Sequence, residues 1–187
     1  MGLDIYLRTD NIDEIYDLLN ENEAKYSLSR TFCNFMCRRN VLENHEAELD
    51  QIGAITNVDI SPIYDMENYV EEEELEYYLE TFDTEDEKQE NRISVEYDRK
   101  KLEGNIDIVL TTISSLISKL NSINSIQNLL IKTDFDTLNN DVYFSDFESN
   151  KGDGYINNNF GHDLRNFKLF LELAKQNNAT TVWFMYG

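Results

Sequence analysis

The sequence is poor in the residues from which most compact catalytic sites and covalent cross-links are built. Its 187 residues include two histidines, two cysteines and one proline. Lysine and arginine together number 16, against 37 aspartates and glutamates, so the formal net charge is −21. A protein that binds DNA, RNA or an anionic membrane directly needs surplus basic side chains for the phosphates. The composition therefore argues against these ligand classes.

Long apolar runs are also absent, so the sequence predicts no membrane span. The first residues show no basic segment followed by an apolar stretch, and we expect no secretory signal. Cys33 and Cys37 lie four residues apart in a segment predicted to be helical, where the geometry is poor for a disulfide. These features predict a reduced protein in the cytoplasm of a host cell.

What the sequence does contain is a globular amount of apolar and aromatic side chains, 41% and 12% of the chain. The length predicts a single domain over residues 1–187. The charge is uneven within it, since residues 1–90 carry 25 acidic and 6 basic side chains. Residues 91–187 carry 12 acidic and 10 basic side chains. We therefore distinguish an acidic half, 1–90, from a near-neutral half, 91–187.

The pattern of apolar residues predicts an α+β fold, with several helices packed on a small mixed sheet that includes both terminal strands. Residues 3–7 and 180–186 read as these strands, because they are rich in alternating, β-branched or aromatic side chains. Residues 93–97 and 142–147 alternate in the same way and predict short central strands.

Helical spacing of apolar residues fills most of the remaining chain. Asp10 and Ser29 are predicted to cap the helices that follow them, and Ser61-Pro62 to form a turn. The His162-Asp163 pair is predicted to cap a further helix at the surface. The helices are predicted over residues 12–19, 30–41, 46–55, 65–82, 106–130 and 162–176, with loops over 84–91 and 148–159.

The predicted helix over residues 106–130 has an apolar seam of about three heptads. Packing of this seam into the protein's own core is the simpler interpretation. Pairing with another helix in a coiled coil is the alternative, and it would make the chain a structural or self-assembling protein.

Metal ligands and catalytic motifs give no clear site. The four soft ligands are Cys33, Cys37, His45 and His162, whose spacing fits no standard zinc site. Residues 146–157 lack the glycine and glutamate positions of an EF-hand loop. No nucleophile elbow or phosphate-binding loop occurs. The sequence therefore predicts no cofactor and no enzyme, with a metal-dependent hydrolase or nuclease built from carboxylates as the alternative.

Acidic residues are concentrated between residues 71 and 87, where solubility and recognition are both possible roles. A helix dense in carboxylates presents charge at intervals comparable with those along a nucleic acid. Tyr77 or Tyr78 could stack beside that charge as a base would. The predicted partner-binding residues are Glu71, Glu72, Glu73, Glu74, Glu76 and Glu80, with Asp83, Glu85, Asp86 and Glu87 as secondary contacts.

The first seven residues, Met-Gly-Leu-Asp-Ile-Tyr-Leu, resemble the start of a group of small uncharacterised proteins from bacteriophages and bacterial genomes. In that group an aromatic-rich helical segment follows, which Phe32, Phe35 and Arg38 match here. The resemblance implies no activity and carries over no functional residue. It implies a mobile-element context, in which small acidic inhibitors of host defences are common.

The acidic segment and this context together predict a non-enzymatic interaction protein. It would occupy the basic surface of a host protein, a nucleic-acid-binding defence protein, in the manner of an anti-CRISPR protein. The partner is expected to be basic, and no direct contact with nucleic acid or membrane is expected.

Overall fold

The computed structural model describes residues 4–40, 46–131 and 140–187, and it confirms the α+β class. Strand β1, Ile5–Thr9, pairs antiparallel with strand β2, Val182–Tyr186, so that Leu7 lies opposite Phe184. Both terminal strands are therefore found as predicted. The helices are α1 Ile12–Asn20, α2 Glu23–Tyr26, α3 Arg30–Cys37, α4 Glu48–Thr56, α5 Ser61–Asp65, α6 Glu72–Leu79, α7 Glu85–Leu102, α8 Ile106–Leu120, α9 Asn140–Tyr143 and α10 Phe160–Gln176.

The sheet has two strands within the described ranges, and the predicted central strands are wrong. Residues 93–97 lie inside α7, and residues 142–147 begin in α9 and continue as a turn. Thr84 explains the first error, because its hydroxyl accepts a hydrogen bond from the Glu87 N–H and the Glu87 carboxylate accepts one from the Thr84 N–H. This capping box starts a helix of 18 residues. It also makes the predicted loop over 84–91 wrong.

The predicted helix over residues 65–82 is interrupted. A 3₁₀ turn, Met66–Asn68, is followed by an extended segment, and α6 begins only at Glu72. Tyr69 has extended backbone angles, and its ring stacks on Trp183 of β2 at 4.2 Å between centroids. The Ser61-Pro62 turn is also wrong, because Pro62 lies in the first turn of α5, where a helix tolerates proline.

The main core lies between α8, α10 and the inner face of the sheet. Val109, Ile113 and Leu116 of the α8 seam are completely buried there, together with Phe167 of α10. The seam is therefore occupied within the chain, as the core-packing interpretation expected. α8 ends at Leu120, ten residues before the predicted end, and a 3₁₀ turn, Ile126–Asn128, follows.

The two predicted N-terminal caps differ in outcome. Ser29 caps α3 as predicted, since its hydroxyl accepts a hydrogen bond from the Phe32 N–H. Asp10 does not cap α1, because the N-cap position is Asn11. The Asp10 carboxylate instead accepts hydrogen bonds from the Thr180 N–H and hydroxyl, at the entry to β2.

Asp163 is a buried acceptor and not the surface capping residue that the sequence suggested. Its carboxylate, which is completely buried, accepts hydrogen bonds from the Ser29 N–H at 2.9 Å and the Ser29 hydroxyl at 2.7 Å. The Tyr143 hydroxyl and the Asn158 amide each donate a further bond at 2.9 Å. Burial raises the pKa of Asp163, and these four donors oppose the rise. The residue therefore joins α3, α9, the loop before α10 and α10 itself.

Replacing this carboxylate should destabilise the whole domain. Asp163→Ala leaves four buried donors without their acceptor, so we expect the free energy of unfolding to fall by about 3 kcal/mol or more. Urea unfolding followed by circular dichroism measures the change. The control is Glu148→Ala, which removes an exposed carboxylate in the nearby loop and should leave the unfolding midpoint unchanged. Equal midpoints for the two variants would contradict the structural role of Asp163.

Candidate protein-binding surface

All ten predicted partner-binding residues lie on one antiparallel pair of helices. We call residues 71–102, which comprise α6, the connection 80–84 and α7, the acidic hairpin. It carries 13 acidic and 5 basic side chains. Its first part, residues 71–87, has ten acidic residues and no lysine or arginine. The fold thus gathers the predicted residues on one appendage of the domain.

The acidic hairpin has its own small hydrophobic cluster. Leu75 and Leu79 of α6 are buried against Val95 of α7, and Val70 and Tyr78 pack beside them. This cluster is separate from the main core. Because Leu75 and Leu79 are four residues apart, they define the inner face of α6, and the carboxylates fall on its sides and outer face.

Cations of α7 pair with the carboxylates on the side of α6 that faces them. Arg92 Nη2 lies 2.9 Å from Glu76 Oε1, and the Arg99 guanidinium pairs with Glu72. Within α7, Lys88 Nζ lies 3.0 Å from Glu85 Oε1. Three of the ten predicted residues are thus already neutralised inside the hairpin, and they are weaker candidates for contact with a partner.

Glu87 is exposed but is held by its capping box with Thr84. Five other carboxylates of the predicted set are exposed and have no hydrogen bond in the described chain. In the part of the chain that the structure describes, none of them lies within ion-pair distance of a cation. The adjoining Glu90 shares these properties, although the sequence prediction did not include it. The five are Glu73, Glu74, Glu80, Asp83 and Asp86.

The helix dipole accounts for some of this charge but not for all of it. Carboxylates are stabilised at the first turn of a helix, which describes Glu73 and Glu74 in α6 and Asp86 in α7. Glu80 follows the last residue of α6, where the dipole disfavours a carboxylate, and no basic residue lies in that turn. Glu80 therefore has no local structural reason to be acidic, whereas Asp83 lies next to the N-cap of α7, whose dipole favours a carboxylate.

Glu71 has a structural role that sequence reasoning missed. Its Oε1 accepts a hydrogen bond from the Trp183 indole N–H at 2.9 Å, and the residue is half-buried. Tyr69 stacks on the same indole, and Arg99 Nε donates to the Val70 carbonyl at 2.5 Å. The Glu71 and Tyr69 contacts join the start of the acidic hairpin to β2, and the Arg99 contact joins α7 to the segment before α6. Glu71 is therefore an attachment residue of the hairpin.

Of the two tyrosines proposed to stack beside the charge, Tyr77 is available and Tyr78 is not. Tyr77 is 77% exposed on α6, between Glu73 and Glu80. Tyr78 is half-buried, with its ring in edge contact with Phe82. The exposed aromatic side chain is therefore surrounded by unpaired carboxylates.

Among the described residues, no group of three or more His, Cys, Asp or Glu side chains is arranged so that it could hold a metal ion. Cys33 and Cys37 are free thiols, and burial raises the pKa of Cys33 to about 12. The His162 Nδ1 atom contacts the Lys151 carbonyl oxygen at 2.5 Å. His45 lies outside the described residues.

The loop predicted over residues 148–159 is confirmed as a segment without helix or strand. Of its two acidic side chains, Glu148 is exposed and Asp153 satisfies groups of the chain itself. Asp153 accepts hydrogen bonds from the Tyr155 and Ile156 N–H groups, which lowers its pKa. Asp146, just before the loop, pairs with Lys151. The region is thus an ordinary turn-rich connection, as its departure from the EF-hand pattern indicated.

Comparisons of the chain with protein-family models, curated proteins and solved structures found no match. The resemblance of residues 1–7 therefore stays a prediction. A search of the described helices for a membrane span also found none that is long and apolar enough.

The attachment of the acidic hairpin can be tested through Trp183, the sole tryptophan. Tyr69→Ala removes the ring stacked on the indole, which is now 6% exposed. We expect its fluorescence emission to shift to longer wavelength and its quenching by acrylamide to increase. Tyr97→Ala, which removes a ring 68% exposed on the same hairpin, is the control and should change neither. An unchanged spectrum in the Tyr69 variant would contradict the attachment.

Proposed function

We propose that this protein is a non-enzymatic interaction protein whose acidic hairpin docks on the basic, nucleic-acid-binding surface of a partner protein. The observation that supports this most directly is the group of exposed carboxylates without cations around Tyr77. Charge that only maintained solubility would need neither concentration on one appendage nor an exposed aromatic ring at its centre. Glu80 adds weight, because the helix dipole does not explain it.

The outer face of α6 has a spacing that suits such a partner. Glu73, Tyr77 and Glu80 follow one another at intervals of four and three residues, which places them in one row on the helix. The seven residues from Glu73 to Glu80 rise about 10 Å along the helix axis. Successive phosphates of one DNA strand rise about 3.4 Å, so the row spans the length of about three nucleotides. A groove lined with lysine and arginine for nucleic acid would meet carboxylates at both ends of the row and an aromatic ring between them.

Residues 1–7 supply the biological context of this proposal. Their resemblance to proteins of bacteriophages and bacterial genomes suggests that the partner is a host defence protein that acts on nucleic acid. An acidic protein on that surface would exclude the nucleic acid by occupying its site, in the manner of an anti-CRISPR protein. Opposite charges would also accelerate the encounter at low ionic strength.

Charge reversal at the end of the acidic hairpin separates recognition from solubility. In the double variant Glu80→Lys, Asp83→Lys, the dipole of α6 favours the lysine at position 80. The lysine at position 83 lies just before the N-cap of α7, where the dipole disfavours it, so we expect little net change in thermal stability. Binding to the partner should weaken by about tenfold or more, since charge pairs across an interface couple strongly. The measurement is capture of host proteins on the immobilised chain at low salt, followed by titration of the retained basic protein.

The matched control is Asp17→Lys, Glu21→Lys, because Glu21 follows the last residue of α1 as Glu80 follows that of α6. Both variants change the net charge equally, and each replaces two exposed carboxylates, one of which directly follows a helix. The control should retain the partner, and added DNA should displace the partner from the native chain. Equal retention by the two variants would show that the charge of the hairpin is not a binding site.

A further inference from the structure

The outer edge of β1 has backbone groups that no strand pairs with. Asp4 exchanges both backbone hydrogen bonds with Gly187, at 2.9 and 3.1 Å, and the Asp10 N–H donates to the Thr181 carbonyl. In an antiparallel pair such bonding alternates along the strand, so residues 4, 6, 8 and 10 face β2. The N–H and C=O groups of Ile5, Leu7 and Thr9 therefore point away from it. No hydrogen bond of the described chain reaches them on that side.

These three residues are not at an open surface. Ile5, Leu7 and Thr9 are 3%, 7% and 1% exposed, respectively. Buried backbone groups without a partner are costly, and native proteins pair nearly all of them with protein or with water. An edge strand in this state is also a template for another strand. The outer edge of β1 is thus ready for pairing.

A groove of about 300 Å³ runs along this edge. Residues Asp4 to Arg8 of the β1 segment form one wall, and Ile12, Tyr16 and Leu19 of α1 contribute to the other. The buried Leu28 and Phe170 also line it. A groove that combines an unpaired strand edge with apolar and aromatic side chains is the setting in which extended peptides bind by strand addition.

One end of the groove is already neutral. Arg30 Nε donates to Asp4 Oδ1 at 3.0 Å, and the Tyr155 hydroxyl donates to Asp4 Oδ2 at 2.9 Å. The Arg30 side chain lowers the pKa of Asp4, so this carboxylate stays ionised and paired. A ligand gains no ion pair at this end of the groove.

Arg8 differs from Arg30. It lines the groove toward its other end and has no carboxylate partner among the described residues. Its Nε atom is buried and has no hydrogen-bond acceptor. Glu23, the remaining charged residue of the lining, is exposed on α2. Arg8 therefore lacks a hydrogen-bond acceptor in the groove, and a carboxylate would be the strongest acceptor for it.

We propose that this groove binds an extended peptide segment of a partner protein, which adds to β1 as a third strand and places a carboxylate against Arg8. Backbone hydrogen bonds to Ile5 and Leu7, the two outward-facing residues of β1 that line the groove, give affinity. An apolar or aromatic side chain of the peptide lies against Tyr16 and Leu19. This site is independent of the acidic hairpin, so either proposal can fail without the other.

The open edge itself is tested by amide hydrogen exchange measured by NMR on the full chain. The N–H groups of Tyr6 and Arg8 are bonded to β2 and should be protected. Those of Ile5, Leu7 and Thr9 should exchange at least about tenfold faster, because exchange follows the local opening free energy. Equal protection of both sets would show that the edge is covered and would overturn the proposal.

Binding is tested with short random peptides displayed on phage and selected on the immobilised chain. Selected sequences should alternate apolar and polar residues and contain an acidic residue. The synthetic peptide should protect the amides of Ile5 and Leu7 from exchange. The N–H groups at alternate positions of the peptide pair with β1. Methylation of these backbone nitrogens should weaken binding by about tenfold or more. Methylation at the intervening nitrogens should have little effect.

Variants of the protein complete the test. Arg8→Gln should weaken binding of the acidic peptide. It should not weaken binding of the same peptide with glutamine in place of the acidic residue. The hairpin variant Glu80→Lys, Asp83→Lys should bind the peptide normally, which separates this site from the proposed function. A result in which neither methylation pattern weakens peptide binding would overturn the proposal. So would protection of the β1 edge by concentration-dependent dimerisation, since the occupant would then be a second copy of the chain.

Discussion

The antiparallel pairing of the two terminal strands is the interaction on which both candidate surfaces depend. β2 presents Trp183 to Tyr69 and Glu71, and these contacts fasten the acidic hairpin to the domain. β1, paired on one edge, leaves its other edge facing the groove. Asp10 stabilises the same pairing from its end, by accepting hydrogen bonds from Thr180 before β2 begins. Loss of the strand pair would therefore remove the contacts that hold the acidic hairpin and also the strand edge that borders the groove.

The acidic hairpin shows how a strongly charged segment can remain folded. Like charges four residues apart oppose a helix, but each such pair costs only a few tenths of a kcal/mol. Burial of a leucine or valine side chain contributes about 1.5–3 kcal/mol. Leu75, Leu79 and Val95 therefore outweigh the repulsion, and the cations of α7 lie on the side where α6 is closest. The carboxylates that stay unpaired are those that the fold does not need.

Local patterns in the sequence predict part of this fold. Ser29 as a cap, the apolar seam of α8 and the aromatic strand at the C-terminus were recognisable, because each depends on residues close together in the chain. Residues 93–97 were wrongly predicted as a strand, because Ile, Val and Tyr at alternate positions in a window of five residues are typical of a strand. The capping box of Thr84 and Glu87 was the signal that would have identified the helix.

Other features had no local signal. Asp163 and its donor Ser29 are separated by 134 residues, so only the folded chain shows that this acid is buried. The same limit applied to the candidate site. The sequence located the acidic segment, but it could not divide it into residues paired by Arg92 and Arg99 and residues left unpaired. Glu71, predicted as a contact residue, is half-buried under Trp183 for the same reason.

The two proposed surfaces would use different physical means of recognition, and the net charge of −21 would affect them differently. At physiological ionic strength, charges further apart than about 8 Å are largely screened. A partner of the acidic hairpin meets several carboxylates within that distance, so their combined field governs both encounter and affinity. A peptide in the groove meets chiefly the unpaired Arg8 and the backbone of β1, and the distant acids matter little to it. A chain this acidic can therefore attract a basic surface at one place and accept a carboxylate at another.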